Sequence, residues 1–228
     1  MNFNKNFEIG KDYKSVIITG SNTGGKTVTL KTIGLFLLMV KAGLFLPCSC
    51  AKVYPFKNIF ADIGDSQSIE QSLSTFSSHM KNIIDIVNKS NDKTFVLLDE
   101  ICAGTDPVEG AVLAQTILEN LASKNVFSTV TTHYGELKSL EYINPYFKNA
   151  SVEFDTETLK PTYKLQLGIP GLSNAIAISS NLGLPQNLVE KAKKILVMQK
   201  DPSILVVEKL QETQQILFLM LKDLLEES

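Results

Sequence analysis

Tryptophan is absent from the 228 residues, and cysteine is scarce. Cys48, Cys50 and Cys102 give an odd count with one C-x-C pair. That is neither a disulfide framework nor a zinc pattern, so free thiols in a reducing compartment are expected. An excess of basic residues is missing too: Lys+Arg 22 against Asp+Glu 24 leaves a formal charge of -2. This is not the overall footprint of a dedicated nucleic-acid binder, and such a role would need a local patch or another domain. The opening MNFNKNFEIG holds no apolar core of a secretory signal. The longest apolar runs, around Leu35–Val40 and Ile216–Leu221, fall far short of the roughly 20 residues that span a bilayer. The expectation is a cytoplasmic chain with no membrane segment.

What is present is an alternation of strand-like and helix-like segments. Ser15–Thr19 (SVIIT) reads as a short buried strand ending in glycine. Lys26–Val40 reads as a buried helix, apolar on most faces. Ala51–Ala61 has weaker strand character, broken by Pro55. Ser74–Lys89 reads as a helix with Met80, Ile83, Ile84 and Val87 on one stripe. Thr94–Leu98 (TFVLL) is the continuous apolar strand that a parallel sheet buries on both faces. Pro107 opens a helix over Glu109–Ser123; Val126–Thr131 is a further strand, before a short helix near Glu136–Leu140. This order predicts an α/β domain with a mainly parallel central sheet flanked by helices. Past Asn149, Ser151–Phe154 and Thr162–Leu167 read as two strands around a turn, the second running into Gly168-Ile169-Pro170-Gly171. Helices are expected at Asn174–Leu182 and Pro185–Met198. Asp201-Pro202 starts a C-terminal helical extension. Its spacing over Val207, Leu210, Gln214, Leu217, Leu221 and Leu224 suits about three heptads of coiled coil, or an amphipathic helix folded onto the domain. Both readings stand. The expected division is residues 1–200 for the domain and 201–228 for the extension.

Four stretches carry chemistry. Gly20 is followed, after four residues, by Gly25-Lys26-Thr27, the spacing of a phosphate-binding loop. In that reading Gly20, Ser21, Asn22, Thr23, Gly24 and Gly25 curl the backbone so that its N–H groups point at phosphate. The helix that begins with Lys26, Thr27 and Val28 adds the positive end of its dipole. Lys26 would reach the β- and γ-phosphates, and Thr27 would offer its hydroxyl to Mg²⁺. Asp99-Glu100 ends the TFVLL strand at the sheet edge where ligands bind. Asp99 would hold Mg²⁺, and Glu100 would orient and deprotonate the attacking water. His133, one of two histidines, follows the next strand and would bond the γ-phosphate or that water. Ser74 and Thr75 sit at a helix start, where capping is the better reading of the residues alone. His79 would then be an exposed helical residue.

Together GSNTGGKT, STFSSHM, LLDEICAGTDPVEG and TTHYGEL resemble the ATPase domain of the MutS family, part of the wider ABC-type ATPase superfamily. GTDP after the acidic pair, FADIGDSQSIEQSLSTFSSHM and SVEFDTETLKPTYKL look like the second bacterial branch, whose members lack mismatch-recognition domains. The resemblance covers about residues 7 to 200, with four motifs in the right order. It implies a P-loop NTPase of ABC type that hydrolyses ATP with Mg²⁺. Lys26, Glu100 and His133 would be its catalytic residues. Ser74, with Thr75 beside it, matches the signature serine that reaches the partner's γ-phosphate across a homodimer; this reverses the preference for capping. Asn22 matches an asparagine near the γ-phosphate. Gly104, Thr105 and Asp106, through to Pro107, match a loop that crosses the dimer interface. Tyr163 falls where the family can set a ring against adenine. Ser21 departs from the proline frequent in the family loop, but serine can take the same backbone shape.

In such ATPases, dimer closure around ATP drives a DNA-acting protein engaged on branched DNA, in recombination control or in repair. Two alternatives stand beside that: the same motor acting on stalled or collided ribosomes, and a nucleotide-gated dimerisation module with little hydrolysis. Glu100 speaks against the last, because a pure binder needs no base. LSTFSSHM lacks the glycine pair of a transporter signature. Only 19 residues precede Gly20, too few for the connector, lever and clamp regions of the family. Nothing after Leu224 has room for the nuclease-like end domain of that branch. The expectation is an excised motor domain or a fragmentary gene product, with its DNA or ribosome contacts elsewhere.

Overall fold

Two strands in which every residue is buried set the middle of the structure: β1 (Ser15–Thr19) and β3 (Thr94–Leu98). Their β-branched and apolar side chains suit a sheet covered on both faces. In this computed structural model, residues 7–20, 24–64, 72–155, 160–171, 175–199 and Thr213 are described, the side chains of 72–75 and 197–199 excepted. Between and after those strands lie α1 (Lys26–Lys41), β2 (Asn58–Asp62), α2 (Ser72–Lys89), α3 (Pro107–Ser123) and β4 (Phe127–Thr131). A 3-10 turn at Gly135–Ser139 leads to α4 (Leu140–Ile143), β5 (Phe147–Asp155), β6 (Lys160–Leu167), α5 (Ala175–Asn181) and α6 (Gln186–Gln199).

The described strands form one sheet in the order β2-β3-β4-β1-β5-β6. All neighbours pair in parallel except β6, which returns antiparallel on β5. The chain leaves β1 for the edge at β2, then works back through β3 and β4 and crosses β1 to reach β5. Right-handed crossovers therefore send α1 to one face and the returning helices to the other. The packing agrees. Ile83, Ile86, Ala114, Leu118 and Leu137 meet Ile17, Val96, Leu98 and Val130 on one face. Leu30 of α1 meets Phe95 and Leu97 on the opposite face. Each fully buried Leu or Ile contributes roughly 1.5–3 kcal/mol. The change of direction beside β1 opens a crevice at the strands' carboxyl ends.

Several elements differ from the sequence reading for physical reasons. α1 is buried on one stripe only: Leu35 is 56% exposed and Leu38 53%, while Thr29, Leu30 and Gly34 are buried. On α2, Ile84 points outward at 51% exposure, while Ile83 and Ile86 take the core positions. β2 begins at Asn58 rather than Ala51. Pro55 cannot donate to a ladder, and Tyr54 and Phe56 instead pack on Phe127. β5 begins at Phe147, before the expected Ser151. Its polar Lys148 and Asn149 hid it: the Lys148 amine and the Asn149 backbone N–H donate to Glu141, and the Asn149 side-chain amide donates to the Lys138 carbonyl. The extension expected from Asp201 lies outside the described residues, Thr213 apart. No described helix is long and apolar enough to cross a membrane.

Candidate functional site

The glycine-rich loop links β1 to α1. Gly20 has φ +124°, and Gly25 has φ +87° at the N-cap of α1. Both lie in backbone space that favours glycine. Gly25 brings no side chain to the helix end, so the positive dipole end faces the loop. Ser21, Asn22 and Thr23 lie outside the described residues. Lys26 folds back over the loop and donates from Nζ to the Gly20 carbonyl at 2.6 Å. It is 2% exposed. Burial lowers its pKa to about 8, against the opposing pull of the Glu100 and Asp99 carboxylates. Thr27 and Val28 follow on the first turn, partly exposed and exposed respectively. Gly24 is buried beside the turn.

The carboxylates stand at the end of β3. Asp99 is 9% exposed and accepts from the Thr131 hydroxyl at 2.5 Å. The same hydroxyl oxygen accepts the Glu100 backbone N–H at 2.8 Å. One threonine on β4 thus orients both acidic residues. Glu100 has φ +48° and Cys102 φ +58°. Non-glycine residues there cost on the order of 1–3 kcal/mol each, and they gather where geometry matters more than local ease. His133, just beyond β4, lies with Nε2 at 3.1 Å from Glu100 Oε1. An ionised carboxylate only accepts, so Nε2 carries the proton in that pair. The sequence reading pointed His133 at phosphate or water; here its partner is the Glu100 carboxylate.

Gly104, Thr105 and Asp106 form the turn into α3. Gly104 has φ +91°, and Asp106 caps the helix by accepting from the N–H groups of Val108 and Glu109. Pro107 occupies the first helical position. Ser74 and Thr75 fall in the first turn of α2, and their side chains lie outside the described residues. Tyr163 belongs to β6 with φ +58°. Its ring covers the loop so closely that a Cβ at Gly25 would meet it at 2.8 Å. Tyr163 thus stands beside Gly25 at the start of α1.

Three features had no signal strong enough to stand out in the sequence. Thr131 hides in VFSTVTT, where threonine is an ordinary strand former. Gly171 donates its N–H to Thr19 Oγ1 at 2.7 Å. A Cβ there would overlap the Thr19 carbonyl oxygen, so the Gly168–Gly171 loop buttresses the end of β1 at Gly20. His79 is not the exposed residue expected: its Nδ1 lies 2.8 Å from Asp62 Oδ2, and its side chain is 31% exposed. A cavity of about 810 Å³, lined by Phe36, Leu37, Tyr54, Phe56 and others, lies on the α1 face and includes neither carboxylate.

Strand-end carboxylates, a buried lysine after a glycine loop and a histidine paired with an acid gather at one edge of an α/β sheet. Comparison with known proteins gives that geometry a family. Residues 16–200 match MutS domain V, and the chain belongs to the MutS family. It is 60% identical over 189 residues to an endonuclease MutS2 of Caldicellulosiruptor saccharolyticus, covering 82% of this chain and 24% of that protein. The MutS2 of Geobacillus kaustophilus is 58% identical over 187 residues, again 82% of this chain and 24% of the relative. That of Shouchella clausii is 54% identical over 203 residues, 89% of this chain and 25% of the relative. The chain therefore spans about a quarter of the length of these relatives.

Proposed function

We propose that this chain binds ATP with Mg²⁺ and hydrolyses it, as the ABC-type motor region of a MutS-family protein that acts on DNA. The observation that carries this is the meeting of Lys26, Asp99, Glu100 and His133 at the carboxyl ends of β1, β3 and β4. Lys26 and the α1 N-terminus supply positive charge for the phosphates. Asp99 fits a hard cation: it is a carboxylate at a strand end, near Lys26, and Thr27 is next to that lysine in the first turn of α1. A bound Mg²⁺ would supply charge neutralisation at the β- and γ-oxygens. Glu100 accepts the proton of the water whose oxygen forms the new bond to the γ-phosphorus, while the bond to the ADP oxygen breaks. His133 holds the Glu100 carboxylate in line for that transfer. The matched relatives are named endonucleases, and that name supports the DNA part of the reading; the nuclease step is not assigned to this chain.

The motor reading includes a composite site. Ser74 from a second copy would complete the loop of the first, so that ATP favours the closed dimer and shifts the population toward it. Glu100→Gln tests the chemistry. ATP should still bind while phosphate release falls at least tenfold, a modest demand on a general base. Unchanged turnover would remove Glu100 from that role, and undiminished ATP affinity in Lys26→Ala would overturn the phosphate-loop reading altogether.

A further inference from the structure

Away from the phosphate loop, a polar joint ties α2 to the edge of the sheet. Asp62 ends β2 and is 7% exposed. Both of its carboxylate oxygens are taken by α2: Oδ2 accepts from His79 Nδ1 at 2.8 Å, and Oδ1 from Asn82 Nδ2 at 2.8 Å. His79 and Asn82 are three apart, so they share one helix face. Asn82 also donates to the Ala61 carbonyl at 3.2 Å. The Asp62 carbonyl in turn accepts the Asp99 N–H at 2.9 Å. Beyond it, the chain turns under the imidazole, where a Cβ on Gly64 would lie 3.0 Å from His79 Cε1.

Holding α2 down does not require this joint, because Ile83 and Ile86 already bury its apolar face. A buried carboxylate is a costly fastener compared with another apolar contact. What hydrogen bonds add is direction: they fix rotation and register, which apolar packing leaves looser. A slip of one residue turns a helix by about 100° and shifts it about 1.5 Å. The joint grips α2 near its middle, and Ser74 lies some 7–8 Å along the axis from His79 at about 1.5 Å per residue. A misplacement of about 1 Å at a reacting centre costs on the order of 10²-fold in rate.

We propose that His79 and Asp62 are positioning residues that set the first turn of α2 for use by a second copy of the chain, so that their effect falls on the partner's ATP site and not on their own. This rests on the composite-site reading above, and it names the device that aims the signature turn. The carboxylate receives the His79 proton donor, Asn82 fixes the second oxygen, and the main chain of Asp62 anchors the pair beside β3.

The test uses mixed copies of the full chain. Lys26→Ala chains and Ser74→Ala chains should each be inactive alone. Mixed, they form one intact site: its loop, Asp99 and Glu100 come from the Ser74→Ala copy, and its signature turn from the Lys26→Ala copy. His79→Leu is then placed on one copy or the other. On the Lys26→Ala copy it should cut the recovered ATP hydrolysis at least tenfold. On the Ser74→Ala copy it should change it less than twofold. His79→Asn, which keeps a donor where Nδ1 stands, should restore most of the loss. Equal losses on either copy would mean a general structural role and overturn the proposal. So would no loss on either, or a loss confined to the Ser74→Ala copy. If the parent pair recovers no activity on mixing, the composite site itself fails, and that result is separate from any effect of His79.

Discussion

If Lys26 holds the phosphates as proposed, ATP binding should weaken as pH rises. The ordinary pKa of Lys26 is 10.5, and burial lowers it to about 8 in the empty chain. Phosphate oxygens favour the charged amine, so ATP should draw a proton onto any neutral Lys26 when it binds. With a value of about 8, the neutral fraction is about one-tenth at pH 7, about half at pH 8 and about nine-tenths at pH 9. Proton uptake should follow those fractions, and the Kd should rise about twofold at pH 8 and about tenfold at pH 9 relative to its low-pH limit. Phosphate groups titrate near pH ~6, so the window from 8 to 9 isolates the lysine. Titration calorimetry of ATP binding at pH 8 in two buffers of different ionisation enthalpy reads the uptake directly. An enthalpy that is the same in both buffers, with a flat Kd between pH 7 and 9, would refute the reasoning. The same shift has a sign for folding. The unfolded chain holds more protons than the native one between pH 8 and 10.5, so the cost of burying the charge, on the order of 3 kcal/mol, is present below pH 8 and relieved across that window. Lys26→Met should remove this rise in stability, as followed by denaturant unfolding.

Two further substitutions test the framework around the site. Thr131→Val keeps the shape but strips the hydroxyl shared by Asp99 and the Glu100 N–H; hydrolysis should fall at least tenfold, with the KM for ATP moving by less than about threefold, because the loss falls on transition-state geometry. Thr131→Ser should behave like the parent, and equal activity in all three proteins would remove the role given to this hydroxyl. Gly171→Ala drives a methyl into the Thr19 carbonyl; overpacking of this kind costs about 1–3 kcal/mol, or roughly 2–12 °C in Tm for a chain of this size. A thermal scan showing no drop would mean that the Gly168–Gly171 loop does not brace the end of β1.

Much of the molecule is legible from local pattern. SVIIT and TFVLL coincide with β1 and β3 to the residue, since short runs rich in β-branched and apolar residues suit strands buried on both faces. The Gly20 to Thr27 spacing, the acidic pair after β3 and the histidine after β4 are likewise matters of chain order. An α/β alternation then brings strand ends to one side by topology alone, so Lys26, Asp99, Glu100 and His133 were nameable before any coordinates. Position on the sequence could not tell which face of a mixed helix meets the sheet: Ile83 and Ile84 are equivalent by composition, yet only one is buried. Nor could it rank polar residues whose worth depends on a distant partner. Thr131 serves residues 31 and 32 positions away, and Gly171 braces Thr19 across 152 positions. The depressed Lys26, the Asp62–His79 joint and the ring of Tyr163 over Gly25 are all of this kind. Sequence alone determined the elements and the chemical parts, because periodicity and motif spacing are written along the chain. Tertiary structure decided orientation, pairing and charge state, because those depend on which groups burial brings together and which water it removes.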